Sequence, residues 1–217
     1  MNQVLHIESL KLHYKQKPIL TEVSMQWQQG ENYFLLGRNG SGKSSLMRVL
    51  AGLQQPGYVS LKLNDADIKP KELDNTLLCY LPQHNFLPKF LTVEKVFRWY
   101  QLSFTAFVGH FPAMEQLKKL PLRSLSGGQR RLVEVYATIM KPAAFTMLDE
   151  PFTNLEPLQV EKIKEIIAAQ KERCFIITDH KYYDVLDVAR QGYLIRNGLS
   201  IRILEKMGLI NFGYIVK

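Results

Sequence analysis

The run Gly37-Arg38-Asn39-Gly40-Ser41-Gly42-Lys43-Ser44 fits the spacing G-x-x-x-x-G-K-[ST], and those residue types suit one task, the holding of a nucleotide's phosphates. Glycines let backbone N–H groups turn inward, and a helix N-terminus adds positive potential. Lys43 supplies a full charge against the β- and γ-phosphates, and the Ser44 hydroxyl is placed to ligate Mg²⁺, with Ser45 completing the cradle. The alternative, a glycine turn with a stray lysine, has to explain the flanks. Tyr33-Phe34-Leu35-Leu36 reads as a short buried strand, and Leu46, Val49 and Leu50 recur at helical spacing behind the loop. A strand, a glycine loop and a helix are the context in which this motif holds phosphate.

A phosphate cradle alone leaves kinases, GTPases, helicases and transporter motors open. Leu125-Ser126-Gly127-Gly128-Gln129 narrows the field. Ser126 can cap the helix that follows, in which Leu132, Tyr136 and Ile139 share a face beside Val135, and the two glycines bare N–H groups at its start. Ser-Gly-Gly is also a common loop, but a plain loop does not account for the pairing with the first motif.

Together these motifs resemble the nucleotide-binding subunits of ABC transporters, along nearly the whole chain. Asp149 closes the apolar run Phe145-Thr146-Met147-Leu148, a costly place for a carboxylate without a cation or donors, and the resemblance makes it the Mg²⁺ aspartate. It makes Glu150 the general base for the attacking water and His180, in Ile177-Thr178-Asp179-His180, the histidine that meets the γ-phosphate. Gln83, in Leu81-Pro82-Gln83, matches the family's glutamine loop, another Mg²⁺ ligand and a link to a helical subdomain. Tyr14, ahead of Pro18-Ile19-Leu20, stands where the family stacks an aromatic on adenine. Seen singly, Gln83, His180 and Tyr14 would pass for a turn residue, a helix cap and a core aromatic.

The resemblance further implies ATP and Mg²⁺ as cofactors and a homodimer or heterodimer in the ATP-bound state. Ser126, Gly127, Gly128 and Gln129 of one cassette would complete the site of the other across an isologous interface. A separate integral membrane permease is the implied partner, with the subunit peripheral on the cytoplasmic face of the membrane. Arg130-Arg131-Leu132-Val133-Glu134 and Asp149-Glu150-Pro151-Phe152 are similar to the lipopolysaccharide-transport and branched-chain amino-acid branches. One departure stands out: Thr153-Asn154-Leu155-Glu156-Pro157 puts Glu156 where the family usually has aspartate, one methylene shorter. A soluble ABC ATPase acting on ribosome or DNA is the competing class, but its two-cassette and coiled-coil architectures are not seen here.

These residues need a scaffold. The chain has 217 residues, 46% of them apolar, enough for one well-cored domain. No apolar run approaches the roughly 20 residues that cross a bilayer, and the start, Met1 to His6, lacks the marks of a secretion signal. Cys79 and Cys174 lie in apolar runs and read as reduced core residues. The net charge of +8 is spread along the chain without a sustained basic tract, so no nucleic acid is expected as partner.

The expected fold is α/β: a P-loop NTPase core, a mostly parallel sheet flanked by helices, with an N-terminal antiparallel β subdomain and an inserted helical subdomain. Residues 1–217 form one ABC ATPase domain, with 1–84 and 125–217 as core and about 85–124 as the helical signature subdomain. Strands are expected at Val4–Ile7, Lys11–Tyr14, Val23–Trp27, Tyr58–Leu63, Thr76–Tyr80, Ala144–Leu148 and Cys174–Thr178, with turns at Pro18 and Gly30. Helices are expected around Val93–Tyr100, Pro112–Leu117, Leu158–Gln170 and Lys181–Val188. Tyr193–Arg196 and Leu199–Ile203 flank Asn197-Gly198, a type I′ hairpin signal. The tail from Leu204 to Lys217 reads as too short for a regulatory domain.

Overall fold

The computed structural model describes residues 2–215; Met1 and residues 216 and 217, the end of the tail, lie outside the described residues. A ten-stranded curled sheet runs in the order β5-β4-β1-β2-β10-β9-β3-β8-β7-β6. Its central strands are those with unbroken apolar runs. β3 (Tyr33–Leu36), β7 (Phe145–Asp149) and β8 (Cys174–Thr178) are buried at every position, as strands covered on both faces must be. β8 pairs in parallel with both β3 and β7, β7 pairs in parallel with β6 (Leu78–Leu81), and β3 with β9 (Gln191–Arg196). β10 (Leu199–Ile203) returns antiparallel to β9 through Asn197 and Gly198, whose positive φ angles, 53° and 78°, are those of a type I′ turn.

The antiparallel part departs from the sequence reading in its boundaries. Val4–Ile7 and Lys11–Tyr14 are one long strand, β1 (Val4–Tyr14), because register shifts between Ile7 and Leu12 break the alternation without ending the pairing. Pro18 lies inside β2 (Lys17–Gln28), and the turn falls earlier, where Lys15 has φ 55°. β4 (Tyr58–Leu63) pairs with β1, and a short β5 (Ala66–Ile68) follows a turn through Asn64 and Asp65, both at positive φ.

Two apolar layers cover the sheet. One side packs β1 and β2 residues such as Leu5 and Trp27 with Leu46, Val49 and Leu50 of α1 (Lys43–Leu50). The other packs Phe34, Leu148 and Ile177 against α4 (Gly127–Met140), α5 (Pro157–Ala169) and α6 (Tyr182–Val188). α4 is buried from Arg130 to Ile139 on all sides, more than the single face its periodicity suggests. Between β6 and α4 lie α2 (Val93–Trp99), α3 (Phe104–His110) and a 3₁₀ helix over Pro112–Leu117, the short helix expected there. Phe97, Phe107 and Tyr136 hold this region to α4, with ring centroids 4.8–5.9 Å apart. A short α7 (Lys206–Asn211) lies in the tail. Among the described residues no helix is long and apolar enough to cross a membrane.

Candidate active site

The phosphate loop leaves the end of β3 and enters α1 through Gly42, the left-handed N-cap at φ 103°. A side chain at Gly42 would meet Leu20 Cδ2 at 2.7 Å, and one at Gly37 would meet Ile195 O at 2.6 Å, so packing as well as φ demands glycine there. Lys43 Nζ folds back over the loop and donates to Gly37 O at 2.7 Å and Arg38 O at 3.3 Å. Burial lowers the pKa of this ammonium, while Asp149 and Glu150 nearby oppose the shift. Ser41 Oγ is buried and has no hydrogen-bond partner among the described residues.

β7 carries Asp149 to the same place. Its Oδ1 accepts from Ser44 Oγ at 3.1 Å and its Oδ2 from Tyr80 OH at 3.2 Å. Burial raises the Asp149 pKa against these two donors, and burial beside that carboxylate drives the Tyr80 pKa upward. Glu150 follows with φ 53° and its N–H bonded to Thr178 O at 2.8 Å, which joins the ends of β7 and β8. Its Oε1 lies 2.8 Å from His180 Nε2. Lys43, Ser44, Ser45, Gln83, Glu150 and His180 thus line one cleft of about 320 Å³ with Asn39, Gly40 and Gly42.

The Ser126–Gln129 segment lies elsewhere. Ser126 Oγ accepts from Gln129 N at 3.2 Å while Gln129 Oε1 accepts from Ser126 N at 3.0 Å, a reciprocal cap at the start of α4. Ser126, Gly128 and Gln129 line a second cleft of about 730 Å³ with Asn154, Glu156 and Leu158, and it shares no lining residue with the first. The glycine loop with Lys43 beside the buried Asp149, and the capped glycine start of α4, thus line two separate clefts of the chain.

The family model described as ABC transporter matches residues 20–153. A lipopolysaccharide export system ATP-binding protein, LptB of Acidithiobacillus ferridurans, is 31% identical over 91% of this chain and 88% of its own length. The chain belongs to the ABC transporter family. It is an ATP-binding subunit of that family, and such subunits are ATPases. In fold it is similar to the structure of an ATP-binding subunit of an ABC transporter, with TM-score 0.81, 21% identity and coverage of 99% of this chain and 95% of that one. It is also similar to a bacterial Atm1-family ABC exporter with ATP bound, with TM-score 0.84, 19% identity and coverage of 97% and 40%.

Within this ABC subunit, Tyr14 stands 68% exposed at the end of β1 and lines neither cleft. Glu156 caps α5, its N–H bonded to Gln159 Oε1 at 3.1 Å, so the departure from aspartate sits at a helix start beside Gly128 and Asn154. Three residues escaped the sequence reading. Tyr80 meets Asp149 from the neighbouring strand; its place in a parallel pair one strand away is the only signal that could have pointed to it. Asp179 braces two loops, with Oδ2 accepting from Phe152 N at 3.0 Å and Oδ1 from Lys181 N at 3.1 Å. Arg131 is buried against the main-chain carbonyls of Asp149 and Glu150, and no spacing rule marks it.

Proposed function

We propose that the chain hydrolyses ATP with Mg²⁺ and uses the cycle to drive substrate movement through a separate membrane permease, working as a dimer on the cytoplasmic face. The observation that carries this reading is the Glu150–His180 pair, 2.8 Å apart at the mouth of the cleft that also presents Lys43 and Ser44. A base within hydrogen-bond reach of an orienting partner beside a phosphate cradle is the arrangement hydrolysis needs.

The donor set suits Mg²⁺. The Ser44 hydroxyl and the Asp149 carboxylate, 3.1 Å apart, are hard oxygens, and Gln83 adds a neutral one from the cleft wall. Among the described residues no cluster of three acidic, histidine or cysteine side chains offers an all-protein cage, which fits an ion held largely by phosphate oxygens and water. Bound there, the ion would neutralise charge on the β- and γ-oxygens. Lys43 trades its loop carbonyls for phosphate oxygens, and Ser41 Oγ, buried without a partner, supplies a further donor. Glu150 takes the proton of the attacking water, and His180 orients it. Tyr14 stacks on adenine. Because Ser126, Gly128 and Gln129 line a separate cleft, the Ser126–Gln129 segment acts on the partner cassette's nucleotide, so that ATP closes the dimer and hydrolysis opens it.

Glu150→Gln tests the reading. It keeps size and leaves ATP binding intact, while turnover falls by about 10²- to 10⁴-fold, the worth of a general base. Turnover at the parent rate would refute the assignment of Glu150. The chain expressed in its own cells should co-purify with an integral membrane protein, and recovery with ribosomes or DNA instead would refute the transport reading.

A further inference from the structure

The phosphate chemistry does not call for an arginine in the core, yet Arg131 is 2% exposed and directs its donors to main-chain carbonyls. Nη1 donates to Pro82 O at 2.8 Å, and Nη2 donates to both Asp149 O and Glu150 O at 2.9 Å. Among the described residues its Nε is buried without a partner, and no carboxylate is hydrogen-bonded to the guanidinium. A charge taken out of water at such expense usually organises something, and a planar fork of fixed donors suits the bridging of several carbonyls.

What it bridges is telling. Glu150 is a non-glycine residue at φ 53°, a conformation that persists only where surroundings over-determine it. Thr178 O fixes its N–H and Arg131 fixes its C=O, so the peptide units on both sides of Glu150 are pinned. Pro82 O, the third acceptor, immediately precedes Gln83. Farther along, α4 grips the chain again: Glu134 Oε1 accepts from Phe86 N and Leu87 N at 3.2 Å each, and Arg130 Nη2 donates to Leu87 O at 2.5 Å. The helix that begins at Ser126 therefore holds the segment around Gln83 at both ends and the main chain of Glu150 between.

We propose that Arg131 is a positioning residue for ATP hydrolysis: it holds the left-handed main chain of Glu150 in the setting that keeps its carboxylate against His180, and ties that setting to the glutamine loop at Pro82. The inference rests on Glu150 being the base. A base displaced by 1 Å costs on the order of 100-fold in rate, whereas nucleotide binding at Lys43 and Ser44 does not depend on where Glu150 points. A purely structural arginine would instead lower stability and leave the rate per folded site unchanged.

Arg131→Met and Arg131→Lys in the full chain separate the two. The measurements are thermal midpoint, affinity for a fluorescent ATP analogue, and turnover per nucleotide-binding site, with Glu150→Gln alongside. The expected result is affinity within about twofold of the parent and kcat lower by on the order of 10- to 100-fold at unchanged KM. Lysine, one point charge in place of a fork, should retain an intermediate rate. Turnover per site within twofold of the parent in either folded variant would overturn the proposal, as would failure of both to fold. If Glu150→Gln is inactive while the Arg131 variants match the parent, only the positioning role falls. If Glu150→Gln itself turns over at the parent rate, the base assignment and this inference fall together.

Discussion

Gly128→Ala separates the function of the Ser126–Gln129 segment from its fold. A Cβ built at Gly128 would lie 2.6 Å from Asn154 O, inside the 3.0 Å that real Cβ contacts respect, so the main chain at Asn154 must retreat by at least about 0.4 Å. Asn154 is itself at φ 65° in the connection between Glu150 and α5, leaving little freedom to absorb the push. Alanine is also the better helix former, by about 1 kcal/mol in a helix interior, so stability is offset rather than lost. The expected outcome is a thermal midpoint within a few degrees of the parent, ATP affinity of the isolated chain unchanged, and turnover reduced more than about tenfold, because the displaced atoms line the cleft proposed to face a partner cassette. Thermal melting, equilibrium binding and phosphate release measure the three. Parent-level turnover with a normal melt would refute the reasoning, and so would a collapse of stability, which would make the contact merely structural.

Two further outcomes follow from particular groups. Tyr14→Ala should weaken ATP binding by roughly two- to tenfold, the 0.5–1.5 kcal/mol of one aromatic contact, without changing the melt of the nucleotide-free chain, since Tyr14 is 68% exposed; unchanged affinity in a titration would remove it from the adenine site. Asp74 accepts from Thr76 Oγ1, Thr76 N and Leu77 N, and these bonds hold its pKa below the ordinary 3.8. Folding thus favours its ionised form, a stabilisation complete above 3.8 and lost as pH falls through the lowered value. Asp74→Asn should therefore melt below the parent at neutral pH, the gap closing at the acid end of a melting series; a gap that stayed constant with pH would show that ionisation is not the cause.

How far the sequence could be read depended on the range of the forces involved. The phosphate loop, the buried runs of β3, β7 and β8 and the Asn197-Gly198 turn are local, each set by a few neighbouring residues, and the fold carries them where expected. β1 and β2 were misjudged because register shifts hide the period-two signal, and α3 escaped because Phe104-Thr105-Ala106-Phe107-Val108-Gly109-His110 is held by aromatic packing rather than propensity. Within the proposed site, Gly37–Ser45, Asp149, Glu150, Gln83 and His180 were legible as motifs. Tyr80, Asp179 and Arg131 were not, because each joins it through a contact with a strand or loop distant in sequence. Arg131 is the clearest case: beside Arg130 in sequence it looks like half of a basic pair, and only the fold turns it toward three buried carbonyls.

The most direct test of the account is a thiol cross-link between the two halves of the site. Cys79 and Cys174 are buried, so Asn39→Cys and Ser126→Cys, added to Glu150→Gln, give reagents access to the phosphate cleft and the α4 start alone. With ATP present, a short bifunctional reagent should join Asn39→Cys of one chain to Ser126→Cys of another and yield a covalent dimer that is absent without nucleotide. A cross-link confined within one chain, or no ATP-dependent dimer at all, would contradict it.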